Sequence, residues 1–155
     1  TKKLQKSFSV ECAFQASKVF ENGGPFIDLL DKTSIEAKKD PRIKTSGKLL
    51  NFKFYNTTWP LEPKTAFYDW LYLNALHNNE SLARAVLEFN SFTDIEFNHE
   101  KSINCQAYSA ALYVSLYKKG LLDFSLESQE NFLKTISDFS ISIANSNIGI
   151  QQSLL

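Results

Sequence analysis

Pro63-Lys64-Thr65-Ala66-Phe67-Tyr68-Asp69-Trp70-Leu71-Tyr72-Leu73-Asn74-Ala75-Leu76-His77 decides the fold class. Pro63 suits the first turn of a helix, so the pattern predicts a helix from about Lys64 to His77. Ala66, Phe67, Trp70, Leu71, Leu73 and Leu76 spread over more than one face, which predicts a central, well-buried helix. Asn78-Asn79 breaks it, and Asn79 can cap the next helix over Glu80 to Glu88. Further on, Asn104 to Lys119 reads as a long helix ending at Gly120, with Lys118 and Lys119 complementing its dipole. Ser128 to Asp138 reads as an amphipathic helix, with Phe132, Ile136 and Phe139 at helical spacing.

Upstream, Val10 to Phe20 is the first helix candidate, with Ser9 as N-cap and Gly23-Gly24-Pro25 as its stop. Thr33 and Glu36 have capping-box spacing for a short helix ending near Lys39, because Pro41 pushes Asp40 out of the helical region. Leu49 to Tyr55 alternates Phe52 and Phe54 with polar neighbours, the signature of a strand. Trp59-Pro60-Leu61-Glu62-Pro63 reads as a rigid turn, and Phe89 to Ile103 as a polar loop. The tail 140–155 reads as a frayed end or a short strand. The expectation is one compact, mainly helical (α+β) domain over 1–155 with a small β element.

The 155 residues carry 17 Lys plus Arg against 17 Asp plus Glu, a formal net charge of zero. That excludes binding nucleic acid through bulk basic charge, but not a local patch. The chain has no Met, even at position 1, so an incomplete start is expected. No transmembrane run or signal pattern is visible. Cys12 and Cys105 make no disulfide framework and read as buried thiols of a cytoplasmic protein. With only His77 and His99 available, no Cys/His zinc spacing exists, and no metal is expected. No Gly-rich phosphate loop or nucleophile elbow occurs either.

Four groups are candidates for chemistry. Glu11, Gln15 and Lys18 stand at i, i+4 and i+7 and form one polar stripe on a helix. A carboxylate, an amide and an amine in a row can do acid/base work or hold a polar ligand; the plainer reading is a solvated face with weak pairing. The loop Glu88 to Asn98 holds Asp94 and Glu96 among three aromatics, just before a helix start that can attract anions. Those carboxylates can support a developing cation, or serve as turn and capping groups. Trp59, Phe67, Tyr68 and Trp70 can stack a nucleobase, although such rings are more often core. Lys38, Lys39, Arg42, Lys44 and Lys48 can meet phosphates, or form an ordinary exposed loop.

Val10-Glu11-Cys12-Ala13-Phe14-Gln15-Ala16-Ser17-Lys18 resembles the E-x-x-F-Q-A-x-K signature of the NADAR (YbiA-like) family. Glu36-Ala37-Lys38, Gly47-Lys48, Trp59, the helix from Lys64 and Leu87-Glu88 with Asp94 follow in the family's order. Ser102 to Ala107 is similar to the family's N-x-L-G helix start. The runs S-V-E-C-A-F-Q-A-S-K-V-F, P-L-E-P-K-T-A-F-Y-D-W-L-Y and F-T-D-I-E-F-N most resemble the branch that accompanies DarT-type DNA ADP-ribosyltransferase toxins. The likeness runs from about residue 8 to 134. It implies a YbiA/NADAR-like fold and a cofactor-free N-glycosidase that removes ADP-ribose from guanine in DNA, as antitoxin to such a toxin. Related alternatives are an N-glycosidase acting on a small nucleotide or riboflavin-pathway metabolite, or a non-catalytic helical module that binds the toxin.

On this resemblance Glu11, Lys18 and Asp94 are the expected catalytic groups, with Glu96 sharing or replacing the role of Asp94. Lys18 is expected to act as a nucleophile through a Schiff base, or else to hold the diphosphate. Gln15 and Asn104 are expected to bond sugar or phosphates, and Phe14 or Trp59 to stack a base. Lys38 and Trp70 complete the expected substrate-binding set.

Overall fold

The computed structural model describes residues 7–93 and 106–138. Ser9 opens α1 (Val10–Ala16): its Oγ accepts from the Cys12 amide at 3.1 Å. The helix was expected to reach Phe20 but ends at Ala16. The Ser17 hydroxyl turns back onto the Ala13 carbonyl at 2.7 Å, and Lys18–Phe20 leaves as strand β1. The reason is strand pairing. Lys18, Val19 and Phe20 lie opposite Phe52, Asn51 and Leu49 of β2 (Leu49–Phe54), antiparallel. The pairing of β-prone Val19 and Phe20 outweighs a helical pattern that was local only. Gly23-Gly24-Pro25 therefore closes a strand, not a helix. Gly24 has φ +88°, and an added Cβ there would overlap the Lys18 carbonyl oxygen, so only glycine fits.

A 3-10 segment (Ile27–Asp31) leads to α2 (Ser34–Lys39), where the capping box of Thr33 and Glu36 forms in both directions as expected. A short α3 (Arg42–Thr45) follows Pro41 where only a loop was expected. Strand β2 turns through Tyr55 and Asn56 into β3 (Thr57–Trp59), giving one sheet in the order β1-β2-β3. The stretch ending at Trp59 is thus a strand end rather than only a turn.

The long helix appears as α4 (Ala66–His77), with α5 (Glu80–Leu87) capped by Asn79. Next come α6 (Gln106–Lys118), a short unexpected α7 (Leu122–Glu127) and a helical stretch over 129–138. The expected central position of α4 holds: Ala66, Phe67, Tyr68, Asp69, Leu71, Leu73 and Leu76 are all buried. The core joins α1, the sheet, α4, α6 and the 129–138 helical stretch through Phe14, Phe52, Trp59, Phe67, Leu112 and Phe132. A smaller cluster of Cys12, Ala16, Leu29 and Ala37 seals the other side of α1. Cys12 is a buried free thiol that donates to the Lys32 carbonyl. The mainly helical α+β expectation holds as a class. Asp94, Glu96, Asn104, Cys105, His99 and the tail 140–155 lie outside the described residues.

Asp69 is a carboxylate on the buried surface of α4. It accepts from Ser109 Oγ of α6 at 2.6 Å and also bonds the Thr65 side chain. Burial pushes its pKa above the ordinary 3.8, against those two hydroxyls. A raised folded-state pKa contributes stability that is complete below 3.8 and fades as the pH climbs through the folded value. Asp69→Asn removes that loss. In chemical denaturation its stability should therefore gain on the parent as pH rises from 3.8 towards neutrality. Ser109→Ala should cost about 1–3 kcal/mol at neutral pH. A stability gap between Asp69→Asn and the parent that is constant with pH would contradict the account.

Candidate active site

The break between α1 and β1 assembles the site. Glu11 and Gln15 share one helix face, and Gln15 Nε2 donates to Glu11 Oε1 at 2.7 Å. Lys18 does not continue that face as an i+7 residue, which corrects the expected stripe. It is the first residue of β1, and the turn at Ser17 folds it back. Its Nζ lies 5.0 Å from the centroid of the Phe14 ring. Acid, amide and amine are still brought together, but by a corner and not by helical period.

Electrostatics bear this out. Burial is the largest influence on Lys18 and draws its pKa down from 10.5 to about 8. Glu11 opposes the shift and Lys38 adds to it, so both lie within electrostatic reach of the amine. The Phe14 ring beneath it favours the cation by about 0.5–1 kcal/mol, too little to offset the loss of water. A drop from 10.5 to about 8 raises the neutral, nucleophilic fraction at neutral pH roughly 300-fold.

The floor of the corner is aromatic. Phe14 packs on Phe52 at 5.1 Å and edge-on against Tyr68 at 5.3 Å. Tyr68 belongs to α4, bonds the Gln106 side chain at the start of α6, and feels Glu11. Burial, together with Glu11, holds its hydroxyl protonated, pushed up to about 12. Tyr68 and Gln106 therefore join the site, although the sequence placed Tyr68 only among stacking or core rings. Its polar role depends on a tertiary contact that no local pattern carries. Asp69 was missed as well, although a lone acid within an apolar helix is a usable signal.

Trp59 does not take the base-stacking place expected of it. It is 1% exposed and wedged between Phe67, Trp70 and Phe132. Emptying a buried Trp position costs about 3–5 kcal/mol, more than the 1–3 that stacking one base returns. Phe14, 9% exposed, also stands mainly as core. Trp70 is half-buried, 5.0 Å from Trp59, and its Nε1 has no hydrogen-bond partner among the described residues. Lys38 is exposed in the last turn of α2 and faces Lys18 electrostatically. Nearby, Arg42 is taken up by Asp28 and Asp40. An open groove of about 470 Å³ runs past the start of α1 between Phe8, Leu30 and Thr33; Glu11, Gln15 and Lys18 do not line it.

Among the described residues no group of three or more His, Cys, Asp or Glu side chains is placed to hold a metal ion. No described helix is long and apolar enough to cross a membrane. Comparison with individually curated proteins finds no significant match. A family profile, that of the DarT1-associated NADAR antitoxins, matches residues 1–146. With the signature residues of α1 and β1 gathered in one corner and nearly the whole chain matched, the protein belongs to the DarT1-associated NADAR antitoxin family.

Proposed function

We propose that this antitoxin is a glycohydrolase that cleaves the N-glycosidic bond joining ADP-ribose to guanine in DNA. The observation that carries the reading is Lys18: an amine drawn to a pKa of about 8, within electrostatic reach of the Glu11 carboxylate, over the Phe14 ring at the corner of α1 and β1. Breaking a ribose–base bond leaves positive charge on the anomeric carbon, which Glu11 can offset. The lone pair of Lys18 Nζ forms a bond to that carbon. The electrons of the old C–N bond depart with guanine, which takes up a proton. The sugar ring opens as its oxygen gains a proton, leaving an imine on Lys18. Water, oriented by Glu11, adds to the imine carbon and releases ADP-ribose, regenerating the amine. Asp94, Glu96 and Asn104, outside the described residues, keep their proposed roles as partners in the reaction. Lys38, exposed beside the corner, suits a phosphate of the ligand or of the DNA backbone.

The test is an oligonucleotide bearing ADP-ribosylated guanine, with release followed by gel shift or mass, beside an ADP-ribosylated protein and a thymine adduct. Release is expected from the guanine adduct alone. Glu11→Gln should lose about 10²–10⁴-fold in rate with the fold intact. An antitoxin that worked only by contact with its toxin would be indifferent to this change.

Lys18→Arg should fall as far as Lys18→Ala, because a guanidinium cannot form the imine. Full turnover by Lys18→Arg removes the nucleophile and leaves Lys18 as a ligand for phosphate. Borohydride added during turnover should fix the sugar onto Lys18, read as added mass on that residue. The neutral amine is the form above the pKa. The rate should therefore rise with pH, about tenfold per unit, and level off above about 8. A profile flat across that range would sink the role assigned to the amine.

A further inference from the structure

Gln15 is 5% exposed, and its two amide ends are not alike. The Nε2 end donates to Glu11 Oε1 at 2.7 Å. An ionised carboxylate only accepts, so the amide cannot be turned round without setting two oxygens against each other. Its Oε1 is therefore held pointing away from Glu11, and that oxygen is buried with no hydrogen-bond partner among the described residues. A buried acceptor left unmatched is costly, and such atoms in native proteins are the exception. It is also selective. The bridging diphosphate of ADP-ribose carries no proton at neutral pH, so it cannot satisfy it. A hydroxyl or an N–H can.

We infer that Gln15 Oε1 accepts the ribose hydroxyl adjacent to the carbon attacked by Lys18, so that Gln15 sets selectivity for a ribosyl over a 2-deoxyribosyl group. The inference rests on the proposed reaction, because it places the reacting carbon at the Lys18 amine. Glu11 ties the two halves together: it holds the Gln15 amide and lies within electrostatic reach of Lys18. A sugar whose first carbon meets the amine carries a hydroxyl on the neighbouring carbon, a donor of the kind this acceptor needs. The Glu11 contact fixes the acceptor before the ligand arrives, so little order is lost on binding.

Ribose 5-phosphate and 2-deoxyribose 5-phosphate isolate this one hydroxyl, and both can be titrated into the full chain by NMR. The parent protein should bind the ribose compound at least about tenfold more tightly, the worth of one good hydrogen bond to a buried acceptor. Gln15→Met keeps the length of the side chain and removes both amide atoms; it should bring the two sugars within about twofold of each other. Equal affinities in the parent, no binding of either sugar, or a preference unchanged in Gln15→Met would each overturn the inference. Equal affinities are also the result expected if Lys18 itself satisfies Oε1. Should Gln15→Met not fold, the parent's preference decides the matter alone. Turnover of the DNA adduct by the same preparation separates the two claims. A sugar preference without turnover leaves Gln15 standing and removes the glycohydrolase. Turnover without a preference does the reverse.

Discussion

The structure depends on the pairing that takes Lys18-Val19-Phe20 out of the first helix and into the sheet. A helix carried on to Phe20 would leave β2 without its β1 neighbour. The Lys53 amide, which donates to the Ser17 carbonyl at 2.7 Å, would lose its acceptor. The Phe26 amide reaches the Ala16 carbonyl at 2.8 Å, so the end of the helix is satisfied from two directions. These bonds set the corner, and the corner puts an amine over Phe14 within reach of Glu11. Fold and candidate chemistry thus share one constraint. Whatever weakens the β1–β2 ladder also moves the amine.

Much of the helical frame was legible from the chain. Pro63, Asn79 and Gly120 bracket helices for reasons that act within a few residues, and Thr33 with Glu36 signs its own helix start. The central position of α4 followed from apolar residues on several faces. What escaped was tertiary. Lys18 to Phe20 fits a helix or a strand equally well, and only Leu49 to Phe52, some thirty residues away, decides between them. Strand β3 is three residues long, too short for a pattern. Helix α3 is a single turn behind a proline. In the site, residue identities carried further than geometry. Glu11, Gln15 and Lys18 were named as a group, though for a helical spacing that only two of them have. Trp59 was misplaced because composition does not distinguish a ring that fills a core from one that lines a pocket. Tyr68 and Gln106 meet across α4 and α6, which no window of sequence displays.

Two ionisable groups, Asp69 buried and Lys18 partly buried, respond to loss of water with opposite shifts in pKa. Lys18 is drawn towards its neutral form and Asp69 towards its own. Hydroxyls from Ser109 and Thr65 surround Asp69, whose place between α4 and α6 is that of a structural tie. Lys18 has an aromatic face and a carboxylate at a distance, which leaves its lone pair free for a ligand in the proposed reaction. Loss of water thus serves cohesion at one position and, in the proposed reaction, reactivity at the other. The number of hydrogen bonds each group is given separates the two.

The Phe14 ring beneath Lys18 has a consequence for how such a protein can diverge. Loss of water is the largest influence on the acidity of the amine, and apolar neighbours such as Phe14, which need never meet a ligand, contribute to it. An exchange of Phe14 or Phe52 for an aliphatic residue would pass as a silent repacking by shape, yet it would retune the ammonium above it. If the proposed reaction holds, selection on it would be felt by the hydrocarbon layer, and drift in that layer would be read out as altered tempo as well as altered cohesion.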